Sequence, residues 1–142
     1  RMRYEYRIHV IGGQPACGAG CVERFTPADN TGERYDPRME ETRNNGRIES
    51  HPDIARLYEA FAHEVAHAIH DEVSGPYVID LYLDDADRPH VIELNGQSNS
   101  GLYALDMDAL LTAVGDNPAQ FMPDPKRTAT PGCLGVREEK TI

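Results

Sequence analysis

Three oxygen-bearing side chains stand within two short apolar segments. Asp80 lies in YVIDLYL, and Glu93 and Asn95 lie in HVIELN. Side chains alternate along a strand, so Val78, Asp80 and Tyr82 share one face of 77–83, and Val91, Glu93 and Asn95 share one face of 90–95. Glu93 and Asn95 then stand roughly 7 Å apart along the strand. The Asp84–Pro89 turn closes a hairpin that sets Asp80 beside Glu93, a register inferred from the turn length. Such a donor set suits Mg²⁺, a hard ion that takes one or two carboxylates, keeps waters and accepts phosphate oxygens. Two carboxylates across a hairpin also suit a pair of ions bridging adjacent phosphates. The competing reading is a solvated sheet face, but an acid inside an apolar strand is either paired or binds something.

A second constellation is His63-Glu64-Val65-Ala66-His67, which matches H-E-x-x-H. Two histidines one helical turn apart can reach one Zn²⁺, with the glutamate as general base of a zinc hydrolase. At about 100° per residue, His63, His67 and His70 lie roughly opposite the apolar stripe of their helix. They therefore face solvent rather than a walled cleft. The continuation AIHDEVSG lacks the third histidine of the longer zinc motif.

The elements that must position these residues are readable in outline. Residues 4–11 alternate, with Tyr4, Tyr6, Ile8 and Val10 on one face and Glu5, Arg7 and His9 on the other, which predicts a half-buried strand. Gly12-Gly13-Gln14-Pro15 reads as a turn, with a returning strand over 20–25. Residues 26–50 are polar and aperiodic and read as a long surface loop. Ile54, Leu57, Tyr58, Phe61, Val65 and Ile69 recur at helical spacing and predict a helix over 53–73, capped by Ser50 or Asp53 and ended by Gly75-Pro76. Gly96 to Gly101 is a loop of small residues. Asp106 reads as the N-cap of a short helix through Val114, stopped by Gly115. The expected fold is α+β, a mostly antiparallel sheet with the long helix packed on one face. Arg7, Asp80, Glu93 and Asn95 occupy the other face. Residues 1–115 form this lobe and 116–142 a Pro-rich tail or docked extension.

Composition narrows the function classes. The chain of 142 residues carries a formal net charge of −10, which argues against a nucleic-acid surface. A small phosphate ligand stays possible because a metal ion offsets carboxylate charge locally. No apolar run approaches the length of a membrane span. The three cysteines, Cys17, Cys21 and Cys133, form no regular framework and read as reduced thiols of a cytoplasmic protein. Twelve of the basic residues are Arg and two, Lys126 and Lys140, are Lys. The chain opens directly on a strand-like segment without Met, which suggests a truncated chain or an excised domain.

The segment YVIDLYLDDADRPHVIELNGQSNSGLYALD resembles the C-terminal lobe of the ATP-grasp superfamily. An acid on one strand, a hairpin, and Glu-x-Asn at the end of the next strand match Asp80, Glu93 and Asn95, and the resemblance covers roughly residues 4–114. It implies an ATP-dependent carboxylate ligase in which ATP binds between two lobes and Mg²⁺ on Asp80, Glu93 and Asn95 orients the triphosphate. A small carboxylate substrate would attack the γ-phosphate to give an acylphosphate, which an amine or other nucleophile captures. Arg7 would contact phosphate or acylphosphate, its alternative being an ion pair with Glu5 or Glu23. Ser98, Ser100 and Gly101 would place backbone N–H groups near the substrate, their alternative being a plain connecting loop. Two features depart from the family: no lysine precedes Lys126, and Gly96-Gln97-Ser98 stands where many relatives carry an Arg. The missing groups would come from an N-terminal lobe or a partner chain. A nucleotide-binding remnant without catalysis is the further alternative.

Overall fold

The computed structural model describes residues 1–122. Lys126, Cys133, Lys140 and most of the expected tail lie outside the described residues. The elements are β1 (Arg3–Ile11), β2 (Gln14–Gly20), β3 (Tyr35–Asp36), β4 (Arg38–Glu40), β5 (Ile48–Ser50), α1 (Pro52–Ala68), β6 (Tyr77–Leu83), β7 (Pro89–Gly96) and α2 (Met107–Asp116). The fold is α+β. Five strands form one sheet in the order β3-β2-β1-β6-β7, antiparallel except for the two-residue pairing of β2 with β3. The hairpin β4-β5 stands beside it.

β1 and β2 are joined by Gly12 and Gly13 alone, both at positive φ (65° and 72°). Two left-handed residues in succession make the tight turn whose twist matches the flanking strands, and glycine adopts that conformation without steric cost. The returning strand is therefore 14–20, not 20–25. Its sequence, QPACGAG, holds no alternation because six of its seven residues are buried. The stretch 26–50 is likewise not a bare loop. It carries a 3₁₀ turn at Pro27–Asp29 and three short strands, and Met39 of β4 is fully buried in the main core.

Helix α1 packs across one face of the sheet. Its most buried residues are Ala55, Tyr58, Ala62 and Ala66, so the contact line is rotated from the expected stripe of Ile54, Leu57, Tyr58, Phe61, Val65 and Ile69, and Leu57 is exposed. Tyr58 stacks on Tyr6 at a centroid separation of 5.3 Å and donates its hydroxyl to the Tyr4 carbonyl at 2.8 Å. The helix begins with Pro52 in its first turn, where a missing N–H costs nothing, and ends at Ala68, a turn before the expected 73. His51, rather than Ser50 or Asp53, occupies the N-cap and makes no side-chain cap.

Helix α2 covers part of the other face. Leu105 and Leu110 join Ile11, Cys17 and Ala19 in a second, smaller core. Asp106 caps α2 as expected, accepting from the Ala109 N–H at 3.0 Å. Gly115 does not stop the helix, which runs to Asp116. The chain then docks back: Gln120 Oε1 accepts from the Gly12 N–H at 2.9 Å. No helix among the described residues is long and apolar enough to cross a membrane.

Candidate functional site

The site is built on the outer face of β1, β6 and β7. The Asp84–Arg88 loop between β6 and β7 is tied by Asp84, whose Oδ1 accepts from the backbone N–H groups of Ala86 and Arg88. Near this turn Leu83 pairs with Pro89, Tyr82 with His90 and Leu81 with Val91. That register, continued, would set Asp80 opposite Ile92 and turn Glu93 toward the α1 face. A β-bulge at Ile92 shifts the pairing by one residue, so Asp80 pairs with Glu93, Ile79 with Leu94 and Val78 with Asn95. The bulge also separates Val91 from Glu93. Val91 packs against the α1 core, whereas Glu93 and Asn95 stand on the other face. The expected grouping of Val91 with Glu93 and Asn95 is thus corrected, although Asp80 and Glu93 still meet.

The structure brings Arg7, Asp80, Glu93 and Asn95 together. β1 pairs with β6 so that Arg7 faces Asp80. Arg7 donates through Nε and Nη2 to Asp80 Oδ1 and Oδ2, each at 2.7 Å. Its Nη1 donates to the Gly101 carbonyl at 3.2 Å, and its guanidinium lies 5.1 Å from the Tyr103 ring centroid. The hydrogen bonds to Asp80 hold the Arg7 guanidinium firmly protonated. Asn95 Nδ2 donates to Glu93 Oε1 at 2.9 Å and to Asp80 Oδ2 at 3.4 Å. Asp80 is 1% exposed, while Glu93 is on the surface. The partner of Arg7 is therefore Asp80, not Glu5 or Glu23. Glu5 and Glu23 both pair with Arg43.

The donor set suits a hard cation: two carboxylates and a carboxamide adjoin on one open sheet face. Glu93 is the most accessible of the three. Asp80 already gives one lone pair of each oxygen to Arg7, so a metal ion there would share the carboxylate with the guanidinium or draw it away from Arg7. A phosphate group beside the ion would give Arg7 an alternative anion, and the planar guanidinium fork suits that exchange.

The loop after β7 arches over this face. Gln97–Asn99 form a 3₁₀ turn with Ser98 exposed, and Ser100 Oγ donates to the Gly96 carbonyl at 3.1 Å. The carbonyl of Gly101, rather than its N–H, turns toward Arg7. Beneath the loop lies His9, on the same face as Arg7 and fully buried. Its Nδ1 is 3.0 Å from Gln97 Oε1, and its Nε2 has no hydrogen-bond partner. Burial lowers the His9 pKa and the Arg7 charge acts in the same direction, against the hydrogen bond to Gln97 and the Asp80 charge. The imidazole is accordingly neutral near pH 7. His9 and Tyr103 carry no motif; the alternation of β1 puts His9 on the Arg7 face, and nothing in the sequence points to Tyr103.

His63, Glu64 and His67 are exposed on the outer side of α1, and His70 is exposed in the turn just beyond its end. Among the described residues no cluster of three or more His, Cys, Asp or Glu side chains is placed to hold a metal. Cys17 and Cys21 are buried free thiols. Burial pushes the Cys17 thiol up to about 12 and Cys21 upward as well, which makes both poor nucleophiles.

No protein-family model matches the chain, and no curated protein matches its sequence.

Proposed function

We propose that the β6-β7 hairpin is the Mg²⁺-nucleotide site on one lobe of an ATP-dependent carboxylate ligase of the ATP-grasp type. The observation that carries this reading is the register in which Asp80 stands opposite Glu93 while Asn95 bonds to both carboxylates. Glu93, Asn95 and Asp80 would hold one or two Mg²⁺ ions. The bound ion supplies charge neutralisation and alignment of the triphosphate.

The residues of the chain have separate tasks in this scheme. Glu93 and Asn95 would hold the ion, which would supply charge neutralisation to the triphosphate. Arg7 trades its contact with Asp80 for the transferring phosphate and stabilises charge that develops there. Tyr103 and the Gly101 carbonyl keep the guanidinium over the sheet. Ser98, Ser100 and Gly101 border the entrance for the small carboxylate substrate. That carboxylate attacks the γ-phosphorus, ADP departs, and an amine displaces phosphate from the resulting acylphosphate. Lysines for the phosphates and adenine come from an N-terminal lobe or a partner chain, which makes this chain half of the complete site. Cytoplasmic placement belongs to the same proposal and rests on the two buried free thiols.

Titration with Mn²⁺-ATP, followed by backbone amide signals of the ¹⁵N-labelled chain, tests the site. The expected result is selective paramagnetic broadening of Asp80, Glu93 and Asn95, lost in Asn95→Ala. Broadening that ignores the hairpin, or survives Asn95→Ala unchanged, would remove the assignment.

A further inference from the structure

A cavity of about 420 Å³ lies between the β1-β2 hairpin and α2, at the hairpin-turn end of the sheet. Its size falls in the range of small-molecule sites. Ile11, Ala16, Ala109 and Ala113 give it an apolar floor, and Arg34 and Asp106 are part of its wall.

The two charged residues are held in place without pairing to each other. Arg34 Nε donates to the Ala16 carbonyl, which anchors the guanidinium. The protein is strongly acidic, yet Arg34 has no carboxylate partner among the described residues. Its two Nη groups remain as a fork of the kind that receives a carboxylate in two parallel hydrogen bonds. Asp106 spends Oδ1 on the Ala109 N–H as the cap of α2, which leaves Oδ2 for a donor. Asp116, on the last turn of α2, adds a second carboxylate to the rim.

An exposed but anchored cation and an anchored anion on the wall of one cavity of mixed polarity suit a ligand that carries both opposite charges. We propose that this cavity binds a small aliphatic α-amino acid. Its carboxylate lies on the Arg34 fork, its ammonium on Asp106, and its side chain on the Ile11, Ala16 and Ala113 floor. A simple fatty acid would leave Asp106 facing an apolar group, and a simple amine would leave Arg34 without an anion.

The test uses the ¹⁵N-labelled full chain without nucleotide or Mg²⁺, so its outcome does not depend on the reading of the β6-β7 hairpin. The probes are L-leucine, 4-methylpentanoate, which lacks the amine, and 3-methylbutylamine, which lacks the carboxylate. Leucine is expected to shift the Ala16, Ala109 and Ala113 amides saturably, with each single-charge probe weaker by about tenfold or more. Arg34→Gln should weaken leucine by a similar factor and leave the amine unaffected. The proposal is overturned if leucine gives no saturable shift, if the three probes bind equally, or if Arg34→Gln binds leucine as the wild type does.

Discussion

Arg7 and Asp80, 73 residues apart, close a two-point fork across β1 and β6, with two hydrogen bonds of 2.7 Å on separate carboxylate oxygens. Both side chains are largely withdrawn from water. The sheet therefore carries a buried ion pair at the foot of its open face. Breaking one partner of such a pair leaves a charge with neither solvent nor counter-ion.

Arg7→Met is accordingly expected to destabilise the chain by about 3–5 kcal/mol, read as a fall in the urea midpoint. The double variant Arg7→Met, Asp80→Leu should recover most of that loss, because it removes the stranded charge. A single-variant loss below about 1 kcal/mol would put the pair in the class of solvated surface pairs and contradict its burial.

His9 gives the chain a pH dependence of definite sign. Burial holds its folded-state pKa below the ordinary 6.5, so the unfolded chain takes up the proton more readily. The contribution is present in full above about 6.5 and declines as the pH falls below that value toward the lowered folded-state pKa. Stability measured by denaturant at about pH 7.5 and pH 5.5 should drop more in the wild type than in His9→Asn. Equal drops would show that His9 titrates alike in both states.

Gly20 predicts a packing limit. A Cβ at this position would collide with the backbone carbonyl of Arg38, where β4 crosses the end of β2. Backbone cannot step aside as a flexible side chain can. Gly20→Ala should therefore cost about 1–3 kcal/mol by thermal or urea unfolding. A neutral substitution would mean that β4 can move away from β2 without loss.

The H-E-x-x-H segment yields a prediction of no effect. His63 and His67 stand exposed on α1. His67→Ala should leave metal content unchanged and stability within about 0.5 kcal/mol. Equimolar zinc in the purified protein, lost on this substitution, would reverse the assignment of chemistry to the hairpin.

The sequence disclosed the elements that advertise themselves through periodicity. β1, β6, β7 and α1 were legible because apolar and polar residues alternate with period 2 or recur at helical spacing. β2 was not, because Pro15 to Gly20 are all buried and mostly small, so neither face is marked. β3, β4 and β5 are two or three residues long, too short to carry a period. At the candidate site, the juxtaposition of Asp80, Glu93 and Asn95 was legible from their chemistry and spacing. The Arg7–Asp80 fork was not, since it depends on the β1-β6 register, which no local signal sets. His9 stayed hidden for a related reason: a polar residue on the outer face of β1 reads as solvated until the 96–101 loop is seen to cover it.

The extra residue at Ile92 has a consequence for the protein's behaviour in concentrated solution. β7 is an outermost strand of the sheet and offers a row of backbone donors and acceptors to any passing chain. A regular strand of that kind is a template for edge-to-edge growth. The bulge interrupts its repeat, Pro89 removes one donor at its start, and the surface charge of Glu93 penalises an identical neighbour. The irregularity that sets Glu93 opposite Asp80 thereby also guards the edge against aggregation.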